Sequence, residues 1–195
     1  MNGTTSLLEL TAIFDREMVP YMIVGSYSSN FYGIPRSTKD ADLVVHLPSE
    51  AWAKLPSLLP GSLELDDQMS FEMVTSTRRE ILRVKDSLFE IELFRLSDGS
   101  RDRSRFERRL RIEIFPGAVV FLPTAEDVVV QKLRWSVGAK RPKDFIDVVA
   151  VMQVQGRALD WFYIEKWCAK HGTLEVLARA KDEAALAWED GEMPD

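Results

Sequence analysis

Val24-Gly25-Ser26, followed ten residues on by Arg36-Ser37-Thr38-Lys39-Asp40-Ala41-Asp42-Leu43-Val44-Val45, is the stretch on which the fold turns. Two carboxylates two apart at the head of an apolar strand share one strand face, roughly 7 Å apart along the backbone. They repel each other unless a cation stands between them. The Gly25-Ser26 turn closes a buried strand, Tyr21-Met22-Ile23-Val24, and opens a short helix over 26–33. Free N–H groups at a helix N-terminus bind phosphate, and glycine lets the backbone approach it. Each half has a plainer reading, a solvated Asp pair and a serine N-cap. Together they point to metal-assisted phosphoryl or nucleotidyl transfer.

Further carboxylates and one lysine extend the pattern. In Leu88-Phe89-Glu90-Ile91-Glu92-Leu93-Phe94, alternation puts both glutamates on one face and Phe89, Ile91 and Leu93 on the other. Glu92 can serve as a third ligand or as a general base; a half-exposed strand with its glutamates in water is the competing reading. Thr124 and Asp127 form a capping box for a helix whose apolar stripe is Ala125, Val128, Val129 and Leu133. Lys132 falls on that stripe. A core-facing lysine either snorkels or reaches an anion, and a nucleotide phosphate is the obvious anion. Asp144 and Asp147 sit in the first turns of the next helix, where the dipole favours them, and Asp144 can pair with Lys132. His46 and His171 lack metal-ligand spacing, and Cys168 reads as buried and inert.

Around these motifs, the 195 residues suit one substantial domain with a helical appendage. A helix is expected over 5–18, with Leu7, Leu10, Phe14 and Met18 on its stripe, then strands at 21–24 and 41–47 and a helix at 49–59. Strand-like pieces follow at Phe71–Thr75, Ile81–Val84 and Leu88–Phe94, and Pro116-Gly117 joins 112–115 to 119–122. Beyond Pro123 only helical spacing remains, at about 124–136, 142–154, 160–170 and 173–188. Trp161, Phe162, Tyr163 and Trp167 are expected to anchor that part. The expected division is an α/β core over 1–122, a helical subdomain over 123–190 and a frayed tail at 191–195.

No apolar run reaches the ~20 residues of a bilayer span, and the start lacks a signal-peptide pattern. One cysteine allows no internal disulfide and no Cys-rich zinc site. A cytoplasmic protein without membrane partners is the expectation. The net charge of −6 argues against a general nucleic-acid coat. Yet Arg101, Arg103, Arg105, Arg108, Arg109 and Arg111 cluster, with Lys132, Arg134, Lys140, Arg141 and Lys143 further on. Such a basic middle either steers a polyanion or is a salt-bridged surface.

Together these residues resemble the nucleotidyltransferases of the DNA polymerase β superfamily, most of all the minimal bacterial type that includes the AbiEii-like toxins. The likeness runs through Ile23-Val24-Gly25-Ser26, Arg36 to Asp42, Ile91-Glu92-Leu93-Phe94, Pro123 to Asp127, Lys132-Leu133 and Lys143-Asp144-Phe145-Ile146-Asp147. It implies an α/β (α+β) fold, a mixed sheet with flanking helices, and transfer of a nucleoside monophosphate from an NTP to a hydroxyl. It also implies Mg²⁺ or Mn²⁺ held by Asp40, Asp42 and Glu92, catalysis by these three with Lys132, and a triphosphate on Gly25 and Ser26. Lys132 and Asp144 take phosphate-side positions in this scheme, and Arg36 and Thr38 shape the loop that presents Asp40. The family's third carboxylate is usually aspartate, whereas here it is Glu92 or Glu90. A tRNA or other RNA acceptor and an antitoxin partner follow from the toxin-type likeness. An aminoglycoside-type acceptor would use an acidic pocket from Glu64, Asp66 and Asp67. A catalytically degenerate nucleotide- or partner-binding protein, and a plain structural α/β protein, are the alternatives.

Overall fold

The computed structural model describes residues 3–66, 70–72, 77–138 and 141–188. In chain order the elements are α1 (Gly3–Arg16), β1 (Tyr21–Val24), α2 (Gly25–Tyr32), β2 (Asp40–Val45), α3 (Ser49–Trp52), α4 (Leu55–Leu58), β3 (Leu63–Leu65), β4 (Ser70–Glu72), β5 (Thr77–Val84) and β6 (Glu90–Arg95). Then come α5 (Ser100–Glu107), β7 (Leu110–Phe115), β8 (Ala118–Leu122), α6 (Ala125–Gly138), α7 (Pro142–Gln155), a short 3₁₀ turn (Gly156–Ala158), α8 (Trp161–His171) and α9 (Leu174–Ala185). The chain divides into two compact units. One holds residues 1–24 and 37–122, the other residues 25–36 and 123–195.

The first unit is built on a mixed sheet in the order β1-β2-β6-β5-β3, with β4 also on β5. β2 and β6 run parallel, while β1–β2 and β5–β6 are antiparallel. Alternation gives this sheet one largely apolar face, on which Glu80 and Arg95 pair with each other. Tyr21, Ile23, Ala41, Leu43, Val45, Leu82, Ile91 and Leu93 lie on it, each at most 1% exposed. The opposite face is split along its length. At one end Met22, Val24, Val44 and Phe94 form a buried cluster with Phe106 of α5. At the other end stand Asp40, Asp42, Glu90 and Glu92, half-buried. β7 and β8 form a separate antiparallel hairpin, and Phe121 meets Tyr21 edge-on at 5.6 Å.

The second unit is helical. Within it α2 packs on α7 so closely that Gly33, just after α2, has no room for a side chain. A Cβ there would lie 2.8 Å from Val151 N and 2.9 Å from Ala150 C. Because the obstacle is backbone, it cannot rotate away. Gly33→Ala is therefore expected to cost about 1–3 kcal/mol, read as a lower urea midpoint. Tyr32 binds the same unit at two points: its hydroxyl donates to Pro123 O (2.9 Å), and its carbonyl accepts from Gln155 Nε2 (2.8 Å).

Several expectations need correction. Met18 leaves the stripe of α1: it follows the helix in a left-handed conformation (φ 54°) and is 87% exposed. The helix at 49–59 is two short helices, since Pro56 lacks the N–H that a continuous helix would use at that point. Leu88 lies before β6 and is 95% exposed. Phe162 is 78% exposed on α8, so it does not anchor the helical part. Helix α5 was hidden because its arginines disguise its period: Arg101 and Arg105 are 5% and 4% exposed, on the buried side with Phe106. Of the remaining expectations, residues 73–75 of the strand-like Phe71–Thr75 piece, Asp67, Lys140 and the tail 191–195 lie outside the described residues. Among the described residues no helix is long and apolar enough to cross a membrane.

Candidate functional site

The acidic face is set by strand register. Parallel pairing places Asp40 opposite Glu90 and Asp42 opposite Glu92, and neighbouring strands stand about 4.8 Å apart. Four carboxylates therefore occupy adjacent positions on one side of the sheet. Thr38 donates its hydroxyl to Asp40 Oδ1 (2.7 Å) and to Asp40 O (3.1 Å), fixing the first carboxylate from its own loop. Glu92 is held differently. Arg79 of β5 reaches it at 2.8 Å, Nη1 to Oε2. Both glutamates are on the face, and Glu92 is the one that stands beside Asp42.

These oxygens are the donors a hard divalent cation takes, usually one or two carboxylates completed by phosphate. Asp40 and Asp42 fit that need. Among the described residues, however, no three such side chains converge on one point. Glu92, the candidate third, is paired with Arg79. Arg79→Met is expected to tighten Mn²⁺ binding about fivefold by removing one positive charge a few Å away. Mn²⁺ titration followed by electron paramagnetic resonance checks this, and unchanged affinity would place the ion away from Glu92.

The second unit contains a buried charge network that the sequence showed only in part. Gly25 enters α2 with φ 63°, a conformation glycine adopts without strain. Ser28 and Ser29 return their hydroxyls to Gly25 O, at 2.9 and 3.3 Å. Arg36 makes a two-point ion pair with Asp147, Nε to Oδ1 (2.6 Å) and Nη2 to Oδ2 (2.9 Å), and Nη2 also donates to Ser26 Oγ (3.0 Å). Asn30 brackets the Arg36 backbone, accepting from its N–H (3.1 Å) and donating to its carbonyl (2.7 Å). Lys132 is 4% exposed, and its Nζ bonds Asp144 Oδ1 (2.9 Å) and Asp147 Oδ2 (2.6 Å). The pairing of Lys132 with Asp144 that the spacing allows is formed, so in this structure the anion Lys132 reaches is a pair of carboxylates. Burial works to raise the Asp147 pKa, but Arg36 and Lys132 outweigh it and hold the carboxyl below its ordinary 3.8.

Sequence reasoning gave Asp147 only a helix-dipole role and passed over Ser29 and Asn30. The available signal was Asp144-x-x-Asp147, since i,i+3 spacing puts both carboxylates on one helix face with Lys132 needing an anion. The capping box is present, with Asp127 N donating to Thr124 Oγ1 at 3.3 Å. Cys168 is fully buried as expected, and His46 is stacked edge-on to Phe106. Two residues of the suggested acidic pocket are committed elsewhere: Glu64 pairs with Lys85 (3.1 Å) and Asp66 with Arg83 (2.7 Å).

No protein-family model and no curated relative matches the sequence. Solved structures do match. ANT(2'')-Ia in complex with adenylyl-2''-tobramycin has a TM-score of 0.60 at 12% identity, over 88% of this chain and 97% of that one. The solution structure of the same antibiotic-resistance factor gives 0.56 at 12% identity, over 92% and 99%. An antigenic nucleotidyltransferase-like protein from Paracoccidioides brasiliensis gives 0.56 at 18% identity, over 92% and 91%. The mixed sheet and its flanking helices give the chain a fold shared with these nucleotidyltransferase structures.

Proposed function

We propose that the protein transfers a nucleoside monophosphate from an NTP to a hydroxyl acceptor in a reaction that depends on Mg²⁺ or Mn²⁺. One observation carries this reading: the register that sets Asp40 and Asp42 beside Glu90 and Glu92 on one sheet face. Arg79 answers the charge of Glu92, and carboxylates adjacent to it still favour a further cation beside them. Asp40, Asp42 and Glu92 would hold the metal, which when bound polarises phosphate oxygens and offsets charge developing in the transition state. Thr38 orients Asp40. Gly25 and Ser26 would take the triphosphate, through backbone N–H groups and the serine hydroxyl. Arg36, Lys132 and Asp144 complete the phosphate-side group through the network around Asp147.

Glu90, which holds no metal in this scheme, would accept the proton of the acceptor hydroxyl. Two acceptors fit the chemistry. An RNA acceptor, with the toxin role and antitoxin that the AbiEii-like resemblance implies, would need an open basic surface. The arginine cluster offers less of one than its sequence promised. Arg101 and Arg105 are buried, Arg103 pairs with Asp98, and Arg109 lies over Phe106 and Phe121 at 4.2 and 5.0 Å. That observation, with the likeness to an enzyme seen with adenylylated tobramycin, favours a small hydroxylated molecule as acceptor.

The test is thermal stability with each of the four NTPs, with and without Mg²⁺ or Mn²⁺. A ligand that binds only the folded protein raises its melting temperature. A shift that needs both one NTP and the metal supports the reading and names the donor. The absence of any shift leaves the degenerate, partner-binding alternative in its place.

A further inference from the structure

We propose that Asp147, 122 residues along the chain from Gly25, is a positioning residue that sets the hydrogen-bond polarity of Ser26 through Arg36. The inference rests on the reading of Gly25-Ser26 as a phosphate-binding turn. It concerns how that turn is kept ready.

Asp147 is 4% exposed and accepts four hydrogen bonds, two from Arg36, one from Lys132 and one from Ser29 Oγ (3.2 Å). The two-point pair with Arg36 fixes the plane of the guanidinium, because both parallel N–H groups are engaged by one rigid carboxylate. Arg36 Nη2 carries two hydrogens. One goes to Asp147 Oδ2 and the other is thereby aimed at Ser26 Oγ, 3.0 Å away. A guanidinium can only donate, so Ser26 Oγ must accept here. A serine that accepts from a fixed donor has its own hydrogen left to give. Ser26, itself 5% exposed, is thus held as a donor, the polarity a phosphate oxygen requires.

The charge balance supports this assignment. Arg36 and Lys132 face Asp144 and Asp147, two cations against two anions. The Arg36 charge is already answered by Asp147, so Arg36 acts on the turn through direction more than through field. Lys132 holds the second oxygen of Asp147 and keeps the carboxylate from rotating away from Arg36. Ser29 Oγ stands 3.2 Å from the same oxygen and 3.3 Å from Gly25 O, so its one hydrogen serves one of these acceptors at a time.

The experiment measures binding of inorganic tripolyphosphate, with Mg²⁺ present, by titration calorimetry. The proteins are wild type, Ser26→Ala, Asp147→Asn, Arg36→Lys and the Ser26→Ala/Asp147→Asn double variant, each checked for folding by circular dichroism. Loss of one hydrogen bond to a charged group weakens binding roughly tenfold. That loss is expected for Ser26→Ala, and nearly as much for Asp147→Asn and Arg36→Lys. The double variant should bind no more weakly than the worse single one, because both changes remove the same bond. A merely structural Asp147 would instead give losses that multiply, and this result overturns the proposal. So does tripolyphosphate binding within twofold of wild type in both Asp147→Asn and Arg36→Lys while Ser26→Ala is impaired, an outcome that leaves the phosphate-binding turn standing. If wild type binds no tripolyphosphate, or Ser26→Ala binds it normally, the phosphate reading of the turn falls and the inference falls with it. Should Asp147→Asn fail to fold, Arg36→Lys reads the same relay from its half-exposed end.

Discussion

Asp42→Asn is expected to lower nucleotidyl transfer on the order of 10²–10³-fold while leaving the fold intact. The side chain keeps its shape and loses its charge, so a metal held by Asp40 and Asp42 loses one of its anionic ligands. A bound divalent cation supplies several kcal/mol of charge stabilisation in a phosphoryl transition state, and each 1.36 kcal/mol is tenfold in rate. Folding stability should move in the other direction or not at all. Asp42 faces Glu92 across the strand pair and Asp40 along its own strand, and removing one charge from four relieves repulsion. Melting curves separate the two effects. In metal-free buffer the variant should melt at or slightly above the wild-type temperature. With NTP and Mg²⁺ the wild type should gain stability and the variant should not. A variant that retains wild-type turnover would remove Asp42 from the chemistry and leave the acidic face without its proposed use.

How much of this was readable in advance follows the range of the interactions involved. β1 was legible as a short continuous apolar run and β2 and β6 by their local pattern, and Asp40-x-Asp42 and Glu90-x-Glu92 each lie within one strand. That the two pairs stand opposite one another was not legible. It depends on parallel pairing of strands about fifty residues apart in the chain, and a shift of one residue would have sent one pair to the apolar face. The fold class could be read from the change at Pro123, where the strand pattern stops. Helix α5 could not, since Arg101 and Arg105 occupy its buried side where a hydrophobic period was sought. Lys132 was recognisable as out of place on an apolar stripe, but its two partners were a matter of how α7 packs on α6. The same holds for Asp147, whose position in the first turns of a helix has a sufficient local explanation in the dipole. Only the i,i+3 spacing of Asp144 and Asp147, taken with a lysine on an apolar stripe, hinted at the second, tertiary role.

Lys132→Met is expected to be the most destabilising single change in the helical unit, costing about 3–5 kcal/mol at pH 7. Methionine matches the lysine stem in length, so packing is largely kept and the loss is electrostatic. Asp144 and Asp147, 1% and 4% exposed, would keep their charges where little water reaches, with Arg36 still paired to Asp147. The pH dependence tests this cause against simple loss of packing. In the wild type, Asp147 is held below its ordinary 3.8, so its contribution to stability is complete above that pH and is lost as pH falls through the lower folded value. Lys132 is one of the two cations producing that depression. In the variant its share is gone, so less stability remains to be lost on acidification. The difference between wild type and Lys132→Met should therefore be largest near neutrality and narrow below pH 3.8. Urea unfolding at pH 7, 5 and 3.5 measures it. A gap that stays constant across these three pH values would mean that the cost arises from packing, and that the two carboxylates do not depend on Lys132 for their charge.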